Sequence, residues 1–282
     1  KLENGHNDGV WSFAWTQGSI VSGSIDGFVK HWNIHDGKTS FVSKKHKVGV
    51  TSIVALQDGS MAIACYQDSV IRFFDLINKT EKTSLNPGLF EAFALSLSPG
   101  EDILASGSNR GNINIWSMQE GNEKIATIPT QNDNFILSTS FSVDGKLAFS
   151  GMDGSIKILD LNNKNGENLV KLESQHSLPV RSVVFSPTGN LLYTASDDRQ
   201  ISIYDMNTGK CIHSFSNEGM MLSVDASPDQ RYLIGGSSQG KVLLYDIGMR
   251  RRVQKYDAHS DSTWCVKYNH YNSQFGEVFA SS

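Results

Sequence analysis

Residues His176–Phe215 read HSLPVRSVVFSPTGNLLYTASDDRQISIYDMNTGKCIHSF, and this stretch decides the fold. Val180 to Ser186 alternates apolar and polar residues with the two-residue period of a strand. Pro187-Thr188-Gly189-Asn190 is a turn, the proline presetting one dihedral and the glycine supplying a positive one. Leu191 to Ser196 is a second strand, Asp197-Asp198-Arg199-Gln200 a tight turn, and Ile201 to Asp205 a third strand. After Met206-Asn207-Thr208-Gly209, Lys210 to Phe215 is a fourth. Short turns can only join such strands antiparallel.

The unit recurs. Trp32, Phe74, Trp116, Leu159, Tyr204 and Tyr245 close successive copies at spacings of 42, 42, 43, 45 and 41 residues. Each precedes a small polar or acidic residue: Asn33, Asp75, Ser117, Asp160, Asp205 or Asp246. Four strands per period of about forty residues predict a β-propeller blade. The repeat runs through all 282 residues without a linker, so the expectation is an all-β, seven-bladed propeller forming one domain over residues 1–282. Only His259, a strand from Trp264 to Tyr268 and another near Val278 to Ser282 represent the last blade, which predicts that blade to be incomplete and the natural protein to continue at both ends.

Composition narrows the function classes. Charged residues make up 19% and the net charge is −4, which gives no general attraction to phosphate or anionic lipid. The dense basic run Arg250-Arg251-Arg252 with Lys255 falls on a connection between strands. Cys65, Cys211 and Cys265 are too scattered for a disulfide framework or a metal clip, and no apolar run approaches the eighteen residues of a membrane helix. Gly235-Gly236-Ser237-Ser238-Gln239-Gly240-Lys241 approximates a phosphate loop, but Val242 follows the lysine and the segment leads into a strand. No catalytic motif has residues to fill it, so neither enzyme activity nor a cofactor or metal is expected.

His176, Ser196, Asp198 and Tyr204-Asp205 resemble the motif of the WD-repeat family, in which His, Ser, Asp and Trp form a hydrogen-bonded set within a blade. His6, Asp26 and Trp32 match it in the first copy, His46 and Asp68 in the second, Asp153 in the fourth, and His259 opens a seventh. These residues are therefore assigned structural roles. Arg110 and Gln239 stand where the third and sixth copies should carry Asp, so those blades are expected to be tied less tightly or by other groups.

The informative positions are those that vary against the repeat. The residue before a small position in each first strand is Trp11, Thr51, Phe93, Leu137, Arg181, Leu222 or Trp264, and it is expected to point to the top opening of the ring. Glu91, Phe135 and Met220 lie one step further out, with Asp197 a second acidic candidate beside Glu91. An apolar rim with aromatic anchors predicts a protein-binding surface. The alternative is that these side chains turn into the channel and cover one another.

His6-Asn7-Asp8-Gly9-Val10-Trp11-Ser12-Phe13-Ala14-Trp15, Asn134-Phe135-Ile136-Leu137-Ser138 and Thr263-Trp264-Cys265-Val266-Lys267-Tyr268-Asn269 further resemble the WD-repeat subunits of the superkiller complex. That resemblance implies a non-catalytic scaffold, cytoplasmic and nuclear, bound to a tetratricopeptide-repeat protein and an RNA helicase that feed messenger RNA to the exosome. It also implies a place in the RNA polymerase-associated factor complex for animal relatives and in meiotic recombination for fungal ones. Its top-face contacts map to Trp11, Phe93, Leu137, Arg181 and Trp264. A ubiquitin-ligase substrate receptor is the rival reading. Direct RNA binding would need a more basic rim than one arginine provides.

Overall fold

A computed structural model describes residues 5–119, 121–130, 134–161, 169–172 (169–171 by backbone alone), 176–271 and 278–282. Six four-stranded antiparallel sheets and a two-stranded seventh follow one another, each built from consecutive strands. In blade 5 the strands are Val180–Phe185, Leu191–Ser196, Gln200–Asp205 and Lys210–Ser216, within a residue of the expected bounds. The seventh sheet pairs Val266–Tyr268 with Phe279–Ser281. The first strands adjoin one another around a central channel.

A sheet with two apolar faces must bury both, and here each face meets the neighbouring blade. Seven apolar cores result, one per interface: Val21, Val50 and Phe74 between blades 1 and 2, for example, and Ile203, Met221 and Tyr245 between 5 and 6. The ring also closes. Phe13, Trp15, Ile20 and Trp32 of blade 1 pack on Cys265 of blade 7, the Trp15 indole N–H donates to the Lys267 carbonyl at 3.0 Å, and the Ser282 hydroxyl to the Val10 carbonyl at 3.0 Å. The six strand-closing residues from Trp32 to Tyr245 are all buried.

The expected polar set is complete in blade 1. The Trp32 indole donates to Ser22 Oγ at 2.8 Å, Ser22 reaches His6 Nε2 at 2.8 Å, and His6 Nδ1 meets the Asp26 carboxylate at 3.0 Å. Asp26 also accepts the backbone N–H groups of Asn7 and Phe28, both at 3.0 Å. This chain of donors fixes the neutral His6 tautomer with its proton on Nδ1, because Nε2 must accept from Ser22. Burial pushes the His6 pKa below its ordinary value despite the opposing Asp26 charge. Burial works to raise the Asp26 carboxyl, but the backbone N–H groups and His6 outweigh it and hold it low.

Blade 5 repeats the arrangement with one correction. His176 Nδ1 meets Asp198 at 2.7 Å, yet Nε2 meets Thr194 Oγ1, also at 2.7 Å, and not Ser196. Ser196 instead donates to the Leu178 carbonyl and accepts the Asp198 N–H. Thr194 and Ser196 share a face of the strand, and Thr194 is the one at the Ser22 position, one rung nearer the closing aromatic.

In blade 2 the expected His46–Asp68 pair is not formed. Ala64 occupies the hydroxyl position, so the second strand offers His46 no side-chain partner there. His46 Nε2 lies 3.2 Å from Glu81 and packs edge-on against Tyr66, while Asp68 binds Arg72, whose guanidinium lies over the Tyr66 ring at 4.4 Å. Asp153 caps its own turn by accepting the Ser155 N–H at 2.9 Å. His259 reaches Ser281 Oγ at 2.9 Å, the blade 7 counterpart of the His6–Ser22 bond.

The blades without Asp are tied by other groups. In blade 3, Ser106 still accepts the Trp116 indole at 3.1 Å, but buried Asn114 donates to the Glu91 carbonyl at 2.8 Å and accepts from Thr127 at 2.7 Å. In blade 6, Gly235 replaces the hydroxyl residue, and a Cβ there would lie 2.4 Å from Ile201. Ile201 and Met221 fill that space, and the Tyr245 hydroxyl donates directly to Asn217 at 2.5 Å.

Candidate functional site

An innermost strand faces a channel, so its edge lacks a sheet partner. Serines of the preceding blade supply one. The Ile53 N–H donates to Ser12 Oγ at 3.1 Å, Leu95 to Ser52 at 3.1 Å, Val183 to Ser138 at 3.1 Å, Val224 to Ser182 at 3.3 Å and Val266 to Ser223 at 3.1 Å. These are the small positions of the repeat. At the closing seam Cys265 stands at this position, buried against Phe13 of blade 1. Ala94 is the exception in blade 3.

The residue just before each serine is a β-bulge. Pairing skips Trp11 between Val10 and Ser12, and likewise Thr51, Leu137, Arg181 and Leu222. A bulge leaves a residue out of the ladder and re-aims its side chain. Here it turns those residues from the blade faces to the channel mouth. All seven rim positions, Trp11, Thr51, Phe93, Leu137, Arg181, Leu222 and Trp264, line one cavity of about 520 Å³.

Two aromatic pairs dominate the mouth. Trp11 and Trp264 meet across the closing seam with ring centroids 5.5 Å apart, and Phe93 meets Phe135 edge to face at 4.6 Å. Trp264 is 38% exposed, while Trp11, Phe93, Phe135 and Leu137 are half-buried. Some rim groups thus cover one another, while Trp264 stays partly exposed at the mouth.

Three assignments change. Leu222 is only 8% exposed and belongs to the channel wall. Arg181 is held bidentately by Asp197, at 3.0 and 2.7 Å, so Asp197 is already neutralised and neither group is a free charge. Glu91 lies beside Arg110 at 3.8 Å and Asn112 at 3.4 Å and serves blade 3 itself. Further down the channel Asp225, unremarked in the sequence, accepts the Tyr268 N–H at 2.7 Å and lies 3.6 Å from His270. Burial opposes protonation of His270, but Asp225 outweighs it and raises the imidazole pKa. Among the described residues no cluster of metal-ligating side chains occurs, and no helix is long and apolar enough to cross a membrane.

The chain is 28% identical to the WD repeat-containing protein SL1-17 of Schistosoma mansoni over 275 residues, covering 94% of this chain and 89% of that protein. It is 30% identical to the WD repeat-containing protein VIP3 of Arabidopsis thaliana, covering 66% and 63%. It is 29% identical to the meiotic recombination protein rec14 of Schizosaccharomyces pombe, covering 73% and 69%. WD-repeat propellers are generally non-catalytic scaffolds for protein assembly. The family model "WD domain, G-beta repeat" matches residues 1–33, 37–75, 122–160, 167–205 and 209–246, and with these repeats the chain belongs to the WD-repeat family.

Proposed function

We propose that this chain is a non-catalytic scaffold whose channel mouth holds a segment of a tetratricopeptide-repeat partner, within an assembly of the superkiller type that supports 3′-to-5′ messenger RNA decay. The observation that carries the binding surface is the Trp11–Trp264 pair, an aromatic seam left open at the mouth. Large rigid aromatics gain much contact area for little lost rotamer freedom, which makes them the common anchors of interfaces. The choice of assembly rests on the sequence resemblance. The RNA helicase joins through the same complex, and the proposed setting is cytoplasmic and nuclear.

A second assembly is favoured by the likeness to a meiotic recombination protein, and the RNA polymerase-associated factor complex is the corresponding nuclear alternative. An adaptor of another complex, such as a ubiquitin ligase, would use the same mouth. The test is affinity purification of the natural full-length protein, followed by calorimetric titration of the recovered tetratricopeptide-repeat protein. Trp264→Ala combined with Trp11→Ala is expected to weaken binding at least thirtyfold, the size of an anchor residue's loss. Trp264→Ala alone should leave the melting temperature within about 2 °C. Undiminished affinity in the double variant would remove the mouth from the reading. Recovery of ubiquitin-ligase subunits alone would replace the assembly.

A further inference from the structure

Blade 3 departs from its neighbours in a way the mouth does not explain. In blades 1, 2, 4, 5 and 6 the top of the second strand is tied to the carbonyl two residues before the rim position: Gly9, Gly49, Phe135, Pro179 and Met220. In blade 3 the Asn109 N–H bonds instead to Phe90 at 2.9 Å, three residues before Phe93. The stretch from this tie to the rim position thus holds one residue more than in those five blades. The family model also passes over the first three strands of this blade, matching up to 75 and resuming at 122.

The extra residue is accommodated at a cost. Phe90 has φ 69°, a left-handed conformation that bulky side chains rarely adopt, following Gly88 at φ 108°. Several bonds lock the loop. Gly88 N–H donates to Asn86 Oδ1 at 3.2 Å, Glu91 N–H to the Gly88 carbonyl at 3.3 Å, and Asn114 to the Glu91 carbonyl at 2.8 Å. What the locked loop displays is apolar: Leu89 is 71% and Phe90 52% exposed. Beside them Arg110 extends with a 62% exposed side chain, its carboxylate partner 3.8 Å away. Strain and exposure of large apolar groups both cost stability, and their coincidence on a rigid loop points to use.

We propose that the Leu89–Phe90 tip is a preformed knob that inserts into the apolar cleft of a partner protein carrying a carboxylate at the cleft's edge, opposite Arg110. The site is convex, so the partner supplies the pocket. Charge selects among occupants. A single arginine next to a glutamate is too little for an anionic membrane surface, which needs clustered cations. A two-fold contact with a second copy, centred on the knob, would bring Arg110 near Arg110. A carboxylate-edged cleft meets neither objection. This surface is separate from the Trp11–Trp264 seam, and the proposal stands whether or not that reading holds.

The experiment places a photo-crosslinking phenylalanine analogue at position 89 or 90 of the full-length protein in its own cells. A control carries it at Ile77, equally exposed at 71% on the turn between the third and fourth strands of blade 2. The protein crosslinked from 89 and 90 but not from 77 is then purified, and its affinity is measured by calorimetry. The proposal expects at least tenfold weaker binding by Leu89→Ser/Phe90→Ser and by Arg110→Glu. It expects Trp11→Ala/Trp264→Ala to bind this partner unchanged, and a charge-reversed carboxylate in the partner's cleft to restore affinity for Arg110→Glu. Phe90→Gly separates binding from folding. Glycine relieves the left-handed strain, so the melting temperature is expected to hold or rise while affinity falls. The proposal is overturned by equal crosslinking from 77, by adducts only with a second copy of the chain, by cosedimentation with phosphatidylcholine–phosphatidylserine vesicles, by affinity unaffected by the substitutions, or by a lower melting temperature in Phe90→Gly.

Discussion

At the scale of single residues, the polar relays divide into strong and weak. His176 and His6 are enclosed and bonded on both ring nitrogens, whereas His46 has one partner, Glu81, across a half-exposed edge. His176→Ala should therefore cost about 1–3 kcal/mol, the penalty of leaving buried polar partners unsatisfied. His46→Ala should cost under about 1 kcal/mol, as a partly exposed pair does. Urea unfolding of the two variants checks the order. The pH dependence follows from the shifts. His6, His31, His46, His213 and His259 all lie below the ordinary histidine value, each chiefly through burial. Their unfolded forms bind protons more readily, so their stabilisation is complete above about pH 6.5 and is lost as pH falls through that value. His270, raised beside Asp225, acts in the opposite sense, favouring the fold below that pH and losing the contribution as pH rises. With five groups against one, the melting temperature should decline from pH 7.5 to 5.5, and His270→Gln should steepen the decline.

At the scale of elements, the bulge and the serine after it form one device. The bulge turns a side chain to the mouth, and the serine caps the next strand's edge. Ser12→Ala would leave the Ile53 N–H buried without its acceptor, for an expected loss of about 1–3 kcal/mol. Ser12→Thr keeps the acceptor, so it should recover part of the loss if the hydroxyl matters and none if bulk does. Chemical denaturation of the two variants decides it. The alternation of Val180 to Ser186 made the strand legible, but a bulge leaves no mark in alternation beyond a one-residue phase change. Comparing copies showed that the position varied, while its cause lay in pairing between strands. The same limit applies to the relays. The motif gave Ser196 by its place beside the turn, and only the register of the strand selects Thr194, one rung nearer Tyr204 on the same face.

At the scale of the whole molecule, stability comes from seven interfaces in a ring, and the seam between blades 7 and 1, like that between blades 6 and 7, is made with the two-stranded sheet of the described residues. Cys265 is buried at the closing seam against Phe13 and Trp15 where other blades place serine. Cys265→Ala would remove packing from this seam and should lower stability by about 0.5–3 kcal/mol, read by urea unfolding. Hydrogen exchange should then quicken in blade 1 and blade 7 before blades 3 to 5, because each blade contacts only its neighbours.

Sequence by itself determined the repeat, the order of the strands, their bounds in the fifth copy, and which positions vary at the rim, because these depend on periodicity and turn chemistry within about forty residues. Only the tertiary structure decided which rim groups are open, that Arg181 is spent on Asp197, that His46 and Asp68 part company, and that an extra residue in blade 3 lifts Leu89 and Phe90. Each of these depends on what a neighbouring strand or blade brings within reach, and a linear pattern does not carry that information.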